Sequence, residues 1–260
     1  MPDAIYQKAI KLLESDILKN VATLKYLTLN RKNASITLLQ DKREWAVLSA
    51  FPTSILSYDT EVYPKVKVAV FLNGTSEQLK LRLLDTMPVN NYVLRLNEPL
   101  DLSGLATLYK VSRGFTYLSF SCTGLSGLPS IATVRASAKL TDEVLALFAQ
   151  NGYREADIKK YFAAGARWFG FKEDNKIKSI CFIYGDYGNV REIAGVRTQE
   201  TARRKGYART VVYSALKYLL ERNMVPRYAT EAGNTNSIKL AQSLGMQLFL
   251  RIEHYLLESK

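Results

Sequence analysis

Between residues 189 and 220 the chain reads NVREIAGVRTQETARRKGYARTVVYSALKYLL. Arg203, Arg204 and Lys205 set three cations directly before Gly206, and Tyr207 and Ala208 follow. Apolar residues then fall at Ala208, Val211, Val212, Ala215, Leu216 and Leu219, which is helical spacing. Glu192 to Thr198 has the composition of a short strand, and Gln199 to Lys205 is a polar, basic turn. A strand that feeds such a turn and then a helix presents unpaired backbone N–H groups, and the helix dipole adds partial positive charge there. Gly206 and Ala208 let oxygens approach the backbone. The chemistry this arrangement suits is the gripping of a pyrophosphate. The plainer reading is a glycine that starts a helix after a basic loop.

The rest of the chain must position that turn. Residues 4–28 carry helical spacing twice, with Ile5, Ala9, Leu12 and Leu13 on one face and Ile17, Val21, Leu24 and Leu27 on another. Ser35 to Leu39, Glu44 to Phe51 and the apolar run Val66 to Leu72 read as strands. Asn73-Gly74 is a turn, a helix follows from Thr75 through Leu84, and Pro88 ends that segment. Tyr92 to Leu96 reads as a strand, Leu102 to Tyr109 as a short helix, and Phe115 to Ser121 as a strand. Cys122 to Ser130, CTGLSGLPS, has the composition of a linker.

The second half partly repeats this order. Ile131 to Ser137 is an expected strand. Thr141 to Phe148 is a helix with Thr141 as N-cap, and Ala156 to Ala163 is another. Trp168 to Lys172 and Ile177 to Tyr184 form a hairpin across Glu173-Asp174-Asn175. After the basic turn and its helix come a strand at Pro226 to Thr230, a helix at Thr235 to Leu244 and a last strand at Met246 to Leu257. Two domains are therefore expected, 1–121 and 131–260, joined by 122–130. The connection at Asn73-Gly74 is too short to cradle a phosphate and has no Arg or Lys.

Composition sets outer bounds. The chain has 260 residues, 47% hydrophobic and 23% charged, which is ordinary for a globular protein. It shows no apolar run of about twenty residues and no signal-peptide profile, so neither a membrane span nor secretion is expected. Cys122 and Cys181 give neither a disulfide framework nor a CxxC metal pattern, so no metal is expected and a reducing cytoplasm is the simplest location. His254 is the one histidine, so serine–histidine or cysteine–histidine chemistry is discounted. The net charge of +12 suits a polyanionic partner, whether a coenzyme or nucleic acid.

The spelling Arg203-x-x-Gly206-x-Ala208 resembles the acyl-CoA motif (Gln/Arg-x-x-Gly-x-Gly/Ala) of the GNAT N-acetyltransferase superfamily. Asn234-Thr235-Asn236-Ser237, followed by a helix and Leu244-Gly245-Met246, is similar to a second segment of that family. The turn from Thr198 to Gly206 resembles the glycine N-acyltransferase-like branch. The resemblance implies an α/β (α+β) GNAT fold in the second half, with a central mixed, mostly antiparallel sheet. The first half then reads, from element order, as a degenerate GNAT-like domain without the coenzyme loop. Acetyl-CoA is the implied acyl donor, and a small-molecule or peptide amine is the implied acceptor. Membrane and nucleic acid are not expected partners, and a homodimer fits a first half retained for dimerisation.

Site residues follow from the same resemblance. The backbone of Ala194, Val196, Arg197 and Thr198 would line the pantetheine arm, with the Val196 N–H polarising the thioester carbonyl. Backbone N–H groups of Arg204 to Arg209 would hold the pyrophosphate, with charge from Arg203, Arg204, Lys205 and Arg209. Asn234 would hold the pantetheine arm. Capping accounts equally well for Asn234 and Ser237, and the two roles can coexist. Amine attack on a thioester needs a proton acceptor. Glu192 resembles the family's general base, with Glu231 in reserve; a salt bridge to Arg191 or Arg197 is the plainer role for Glu192. Ala241 departs from the pattern, because many GNAT enzymes carry there a tyrosine that protonates the leaving thiolate. Tyr184 and Tyr187 are candidates to wall the acceptor site, and Cys181 reads as core. The rival expectation is an acyl-CoA-binding regulatory or sensor module without turnover. RNA binding, motivated by charge alone, is a third.

Overall fold

The computed structural model describes residues 3–125 and 134–260. The chain divides into two compact units, Met1–Tyr117 with Leu250–Lys260, and Leu118–Phe249.

In the first unit, α1 (Asp3–Leu13) and α2 (Ile17–Leu29) are followed by β1 (Ser35–Asp41), β2 (Glu44–Pro52) and a short α3 (Ser57–Val62). Next come β3 (Val68–Gly74), α4 (Glu77–Leu84), β4 (Tyr92–Leu96), a 3-10 turn at Ser103–Thr107 and β5 (Tyr109–Ser121), which passes into the second unit. The end of β11 (Gln247–Ser259) returns to pair antiparallel with β4, Glu253 opposite Leu96. The strand order is β1-β2-β3-β4-β11, with β3 and β4 parallel and the other pairs antiparallel. The core gathers alternate residues of the strands, Leu48, Val70, Leu72 and Leu94, against Leu79 and Leu83 of α4. Burying each such side chain contributes about 1.5–3 kcal/mol.

Three features of this unit differ from the sequence reading. The segment 102–109 forms only a 3-10 turn, and β5 begins at Tyr109 rather than Phe115. Helix α3, SYDTEV, lacks an apolar stripe; tertiary bonds hold it, Thr60 Oγ1 donating to Thr53 O at 2.8 Å. Ile5, expected on a buried face of α1, is 40% exposed, while Tyr6, Ala9 and Leu13 are buried.

The second unit begins, after the end of β5, with β6 (Val134–Ser137), α5 (Asp142–Ala149) and α6 (Glu155–Ala163). β7 (Arg167–Glu173), β8 (Lys176–Gly185), β9 (Val190–Thr198), α7 (Tyr207–Leu220), β10 (Val225–Glu231) and α8 (Thr235–Ser243) follow. Residues 126–133 lie outside the described residues, as do most of the expected linker and the start of the strand expected from Ile131. Strand order is β5-β10-β9-β8-β7-β6; the β6–β7, β7–β8 and β8–β9 pairs are antiparallel, and β9–β10 is parallel. The β7–β8 hairpin turns at Asp174 and Asn175, both left-handed (φ 52° and 58°), as a two-residue turn between twisted strands requires. The sequence reading ran the second domain to residue 260, but pairing with β4 groups residues 250–260 with the first unit.

Each face of this sheet has its own cover. Val211, Val212, Ala215, Leu216 and Leu219 of α7 pack on Cys181, Ile183 and Ile193. Val144, Leu147 and Phe148 of α5 and Ile158 of α6 pack with Ile180, Phe182 and Ala194. Glu192 pairs with Tyr184, in step with Ala194 and Phe182, so Glu192 shares the α5–α6 face.

Candidate functional site

β9 is irregular where the site residues cluster. Phe182 pairs with Ala194 and Ile180 with Arg197, so Gly195 and Val196 together oppose Cys181. This is a β-bulge, and Gly195 occupies its left-handed position at φ 62°. A Cβ on Gly195 would lie 2.6 Å from the Phe182 ring, so the position demands glycine twice over. The bulge carries β9 away from β10. Their parallel pairing covers only Val190–Val225, Arg191–Pro226 and Glu192–Arg227, although the strands continue to Thr198 and Glu231. Ala194, Val196, Arg197 and Thr198 thus lie along a stretch of β9 without rungs to β10. Arg197 reaches the α5–α6 connection, donating to Gln150 O at 2.9 Å and Gln150 Oε1 at 3.2 Å. Tyr153 of the same connection packs edge-on against Phe182, ring centroids 5.4 Å apart.

Glu192 is 9% exposed at the last rung. It is paired with Arg227, whose Nη1 donates to Glu192 Oε2 and, at 3.2 Å, to Asp186 Oδ2. Nη2 of Arg227 donates to Ser119 Oγ at 3.1 Å. Burial alone would lower the Arg227 pKa, but the charges of Glu192 and Asp186 more than offset it and hold the guanidinium ionised. Tyr184 stacks on Tyr161 with ring centroids 4.3 Å apart. Burial, reinforced by Glu192, pushes the hydroxyls of Tyr184 and Tyr153 well above the usual phenol range, so both stay neutral. Cys181 is fully buried and its thiol is pushed up by burial, in keeping with a core residue.

At the far end of β9, a 3-10 turn (Glu200–Ala202) leads to Arg204 and Gly206, both left-handed at φ 63° and 83°. Gly206 precedes α7 with no side-chain cap, so no side chain covers the N–H groups of the first turn. A Cβ on Gly206 would meet nothing within 4 Å, so the backbone there lies open. Arg204 and Lys205 are exposed, and Arg203 pairs with Glu200 at 3.4 Å. Two neighbours are tied into packing instead. Tyr207 stacks on Phe171 and donates to Glu173 Oε1 at 2.8 Å, while Arg209 donates to Ser243 O at 3.0 Å. Ala208 is half-buried in the first turn of α7.

Asn234 caps α8, its Oδ1 accepting from Ser237 N at 3.1 Å. Tyr228 is buried, and burial raises the pKa of its hydroxyl. Glu231 ends β10 and is exposed, and its carbonyl accepts from Asn234 N at 3.0 Å. Ala241 is fully buried against α7 and β10, and carries no polar group. Among the described residues no group of three or more His, Cys, Asp or Glu is placed to hold a metal, and no helix is long and apolar enough to cross a membrane.

Sequence reading did not pick out Gly195, Arg227, Asp186, Ser119 or Tyr153. A signal existed for two of them. Gly195 interrupts a strand pattern, which marks a bulge, and Arg227 is a lone cation in the strand VPRYATE. Asp186 and Ser119 join Arg227 from different elements, which no local pattern could announce.

A family model described as GNAT acetyltransferase matches residues 150–255. A GNAT-family acetyltransferase from Colwellia psychrerythraea is 12% identical, with 98% of this chain and 96% of that chain covered at a TM-score of 0.59. A Drosophila protein is 11% identical, with 99% and 97% covered at a TM-score of 0.60. A tandem GNAT protein from the clavulanic acid biosynthesis pathway is 12% identical, with 98% and 94% covered at 0.52. No curated protein matches the chain in sequence. At such identities the likeness speaks to the fold, an α+β GNAT-like arrangement with mixed sheet. The family model over residues 150–255 and the GNAT-like fold over nearly the whole chain agree with each other.

Proposed function

We propose that this chain is an acyl-CoA-dependent N-acyltransferase that takes acetyl from acetyl-CoA to an amine, in the manner of the glycine N-acyltransferase-like branch. The observation that carries the reading is the parting of β9 from β10 beyond Glu192 and Arg227, beside an uncapped helix start at Gly206. The opening offers backbone hydrogen bonds to a pantetheine arm along Ala194 to Thr198, with the Val196 N–H for the thioester carbonyl. The Arg204–Arg209 backbone would take the pyrophosphate, with Arg204 and Lys205 adding charge. Asn234 would reach the arm while capping α8.

A protonated alkyl amine, with a pKa of about 10, has no lone pair to offer. Glu192 would accept the proton, directly or through water, as the nitrogen–carbon bond forms and the carbon–sulfur bond breaks. Glu231 is the reserve acceptor. The leaving thiolate, whose parent thiol has a pKa of about 8.5, is a fair leaving group without a dedicated acid. Transfer is direct, within a ternary complex. Tyr184 and Tyr161 would wall the acceptor side. Catalysis falls to the second half, residues 131–260 in the sequence division, with the first half shaping the acceptor site or supporting a dimer. The two unpaired cysteines suit a cytoplasmic location.

A second reading, a binding module without turnover, is favoured by one observation. Ala241, where many family members carry tyrosine, is buried and apolar. Thiol release from acetyl-CoA across a panel of amines tests both. Amine-dependent release supports transfer; tight binding without release for every acceptor supports the module.

A further inference from the structure

Arg227 is shared. One guanidinium nitrogen serves two carboxylates from different elements, Glu192 on β9 and Asp186 just after β8, and the other nitrogen is anchored by Ser119 on β5. All of this is buried: the side chains of Asp186, Arg227 and Glu192 are 1%, 9% and 11% exposed. Arg227 and Glu192 also form the last rung before β9 and β10 part. The carboxylate that would take the acceptor's proton therefore sits at the mouth of the opening, held by a cation whose other allegiance is to Asp186.

We propose that Arg227 is a positioning residue for Glu192, and that Asp186, by competing for the same guanidinium nitrogen, sets how firmly Glu192 is held and how readily it takes a proton. This rests on the reading of Glu192 as the base. Among the groups facing Glu192, Arg227 is a cation and Asp186 a second anion, while Tyr184 on β8, Tyr153 on the α5–α6 connection and Tyr228 on β10 are neutral phenols. A network that merely filled space would respond to the loss of either partner in one direction, through stability. A shared cation answers in two directions. Without Arg227, Glu192 loses this counter-ion while the negative charge of Asp186 stays close by, so it takes a proton more readily. Without the Asp186 charge, repulsion is relieved and Arg227 is left to Glu192, so it takes a proton less readily.

The test follows the Glu192 carboxyl resonance by carbon-detected NMR in the full chain, assigned by its absence in Glu192→Gln. It is repeated in Arg227→Gln and Asp186→Asn, with Arg227→Lys as the variant that keeps charge and fold. The midpoint should rise by about one pH unit in Arg227→Gln, fall in Asp186→Asn and change least in Arg227→Lys, a tenfold change in proton affinity per unit. The acid limb of the kcat profile should move with it, and acetyl-CoA affinity should hold. Midpoints that coincide with wild type, or that move the same way in both charge-removing variants, overturn the proposal. Should Arg227→Gln fail to fold, Arg227→Lys and Asp186→Asn decide: an unmoved midpoint in Asp186→Asn overturns it. Full activity in Glu192→Gln would instead remove the base reading, and the resonance still decides the pairing.

Discussion

Arg95 and Arg227 occupy matching places in their own units. Each lies on the strand that follows the crossover helix, each is buried (5% and 7% exposed), and each is paired with a buried aspartate, Asp59 and Asp186. They differ in the neighbour on the parallel strand. Arg227 has Glu192 there, and Arg95 has Phe71, over whose ring its guanidinium lies at 4.5 Å. A carboxylate in one unit is thus an aromatic face in the other.

Gly206→Glu should abolish acetyl-CoA binding in a folded protein. The left-handed backbone at φ 83° costs a non-glycine residue about 1–2 kcal/mol, but a Cβ there would meet nothing within 4 Å. The carboxylate would stand where a phosphate must approach the uncapped helix start. Calorimetric titration checks this; unchanged affinity in a folded variant removes the loop from the site.

Glu192→Gln should lower kcat by about 10²–10⁴-fold, with a much smaller change in the coenzyme KM. Glutamine keeps the shape and can still meet Arg227, but accepts no proton. The acid limb of the rate profile should flatten. A wild-type rate, with chemistry shown to be rate-limiting, transfers the role to Glu231 or to solvent.

Gly195→Ala should destabilise the second unit by about 2–5 kcal/mol, from left-handed strain and overpacking against Phe182. The bulge should relax toward regular pairing, which narrows the opening beyond Glu192. Urea denaturation measures the stability, and acetyl-CoA affinity should fall with it. A neutral substitution would mean that the bulge does not depend on glycine.

The fold was legible where a local pattern carries it. The α7 stripe from Val211 to Leu219 is buried as its spacing dictates, and Gly206 starts the helix. Thr141 and Asn234 cap the helices they precede. Illegible features depend on partners distant in sequence. Residues 109–114 join β5 through pairing rather than a strong β pattern, and α3 relies on bonds to Thr53 and on Asp59 meeting Arg95. The turn's spelling pointed to Gly206, but the network around Glu192 assembles β5, β8 and β10, and only the fold brings them together.

His254, discounted for catalysis, should make the first unit acid-sensitive. Arg95 Nε donates to its Nε2 at 3.3 Å, so Nδ1 carries the proton and faces the Tyr63 hydroxyl at 2.9 Å. Burial, then the Arg95 charge, pushes the imidazole down to about 2. The unfolded histidine binds a proton below a pKa of about 6.5 that the folded one refuses. Above that pH both states are neutral and nothing is lost; below it, stability should fall by about 1.4 kcal/mol per pH unit. Denaturation at about pH 7 and about pH 5.5, above the range of ordinary carboxylates, isolates the effect. An equal loss in His254→Gln would assign the sensitivity elsewhere.

The full chain should bind one acetyl-CoA, not two. In the first unit β3 and β4 stay paired from Val68–Tyr92 to Leu72–Leu96, the whole length of β4, so no opening forms between the parallel strands. The turn that follows is already filled. Asn73 accepts from Thr23 Oγ1 at 2.8 Å and donates to Asn20 Oδ1 at 3.0 Å, while Thr75 bonds the Trp45 backbone through its N–H and hydroxyl. A Cβ on Gly74 would lie 2.4 Å from Trp45 O, which closes the backbone to any ligand. Helix α4 opens with Glu77, whose charge repels a phosphate at the helix start. Titration calorimetry should give a stoichiometry of one for the wild type and none for Gly206→Glu. Two sites in the wild type, or one surviving in the variant, would place a working coenzyme loop in the first unit.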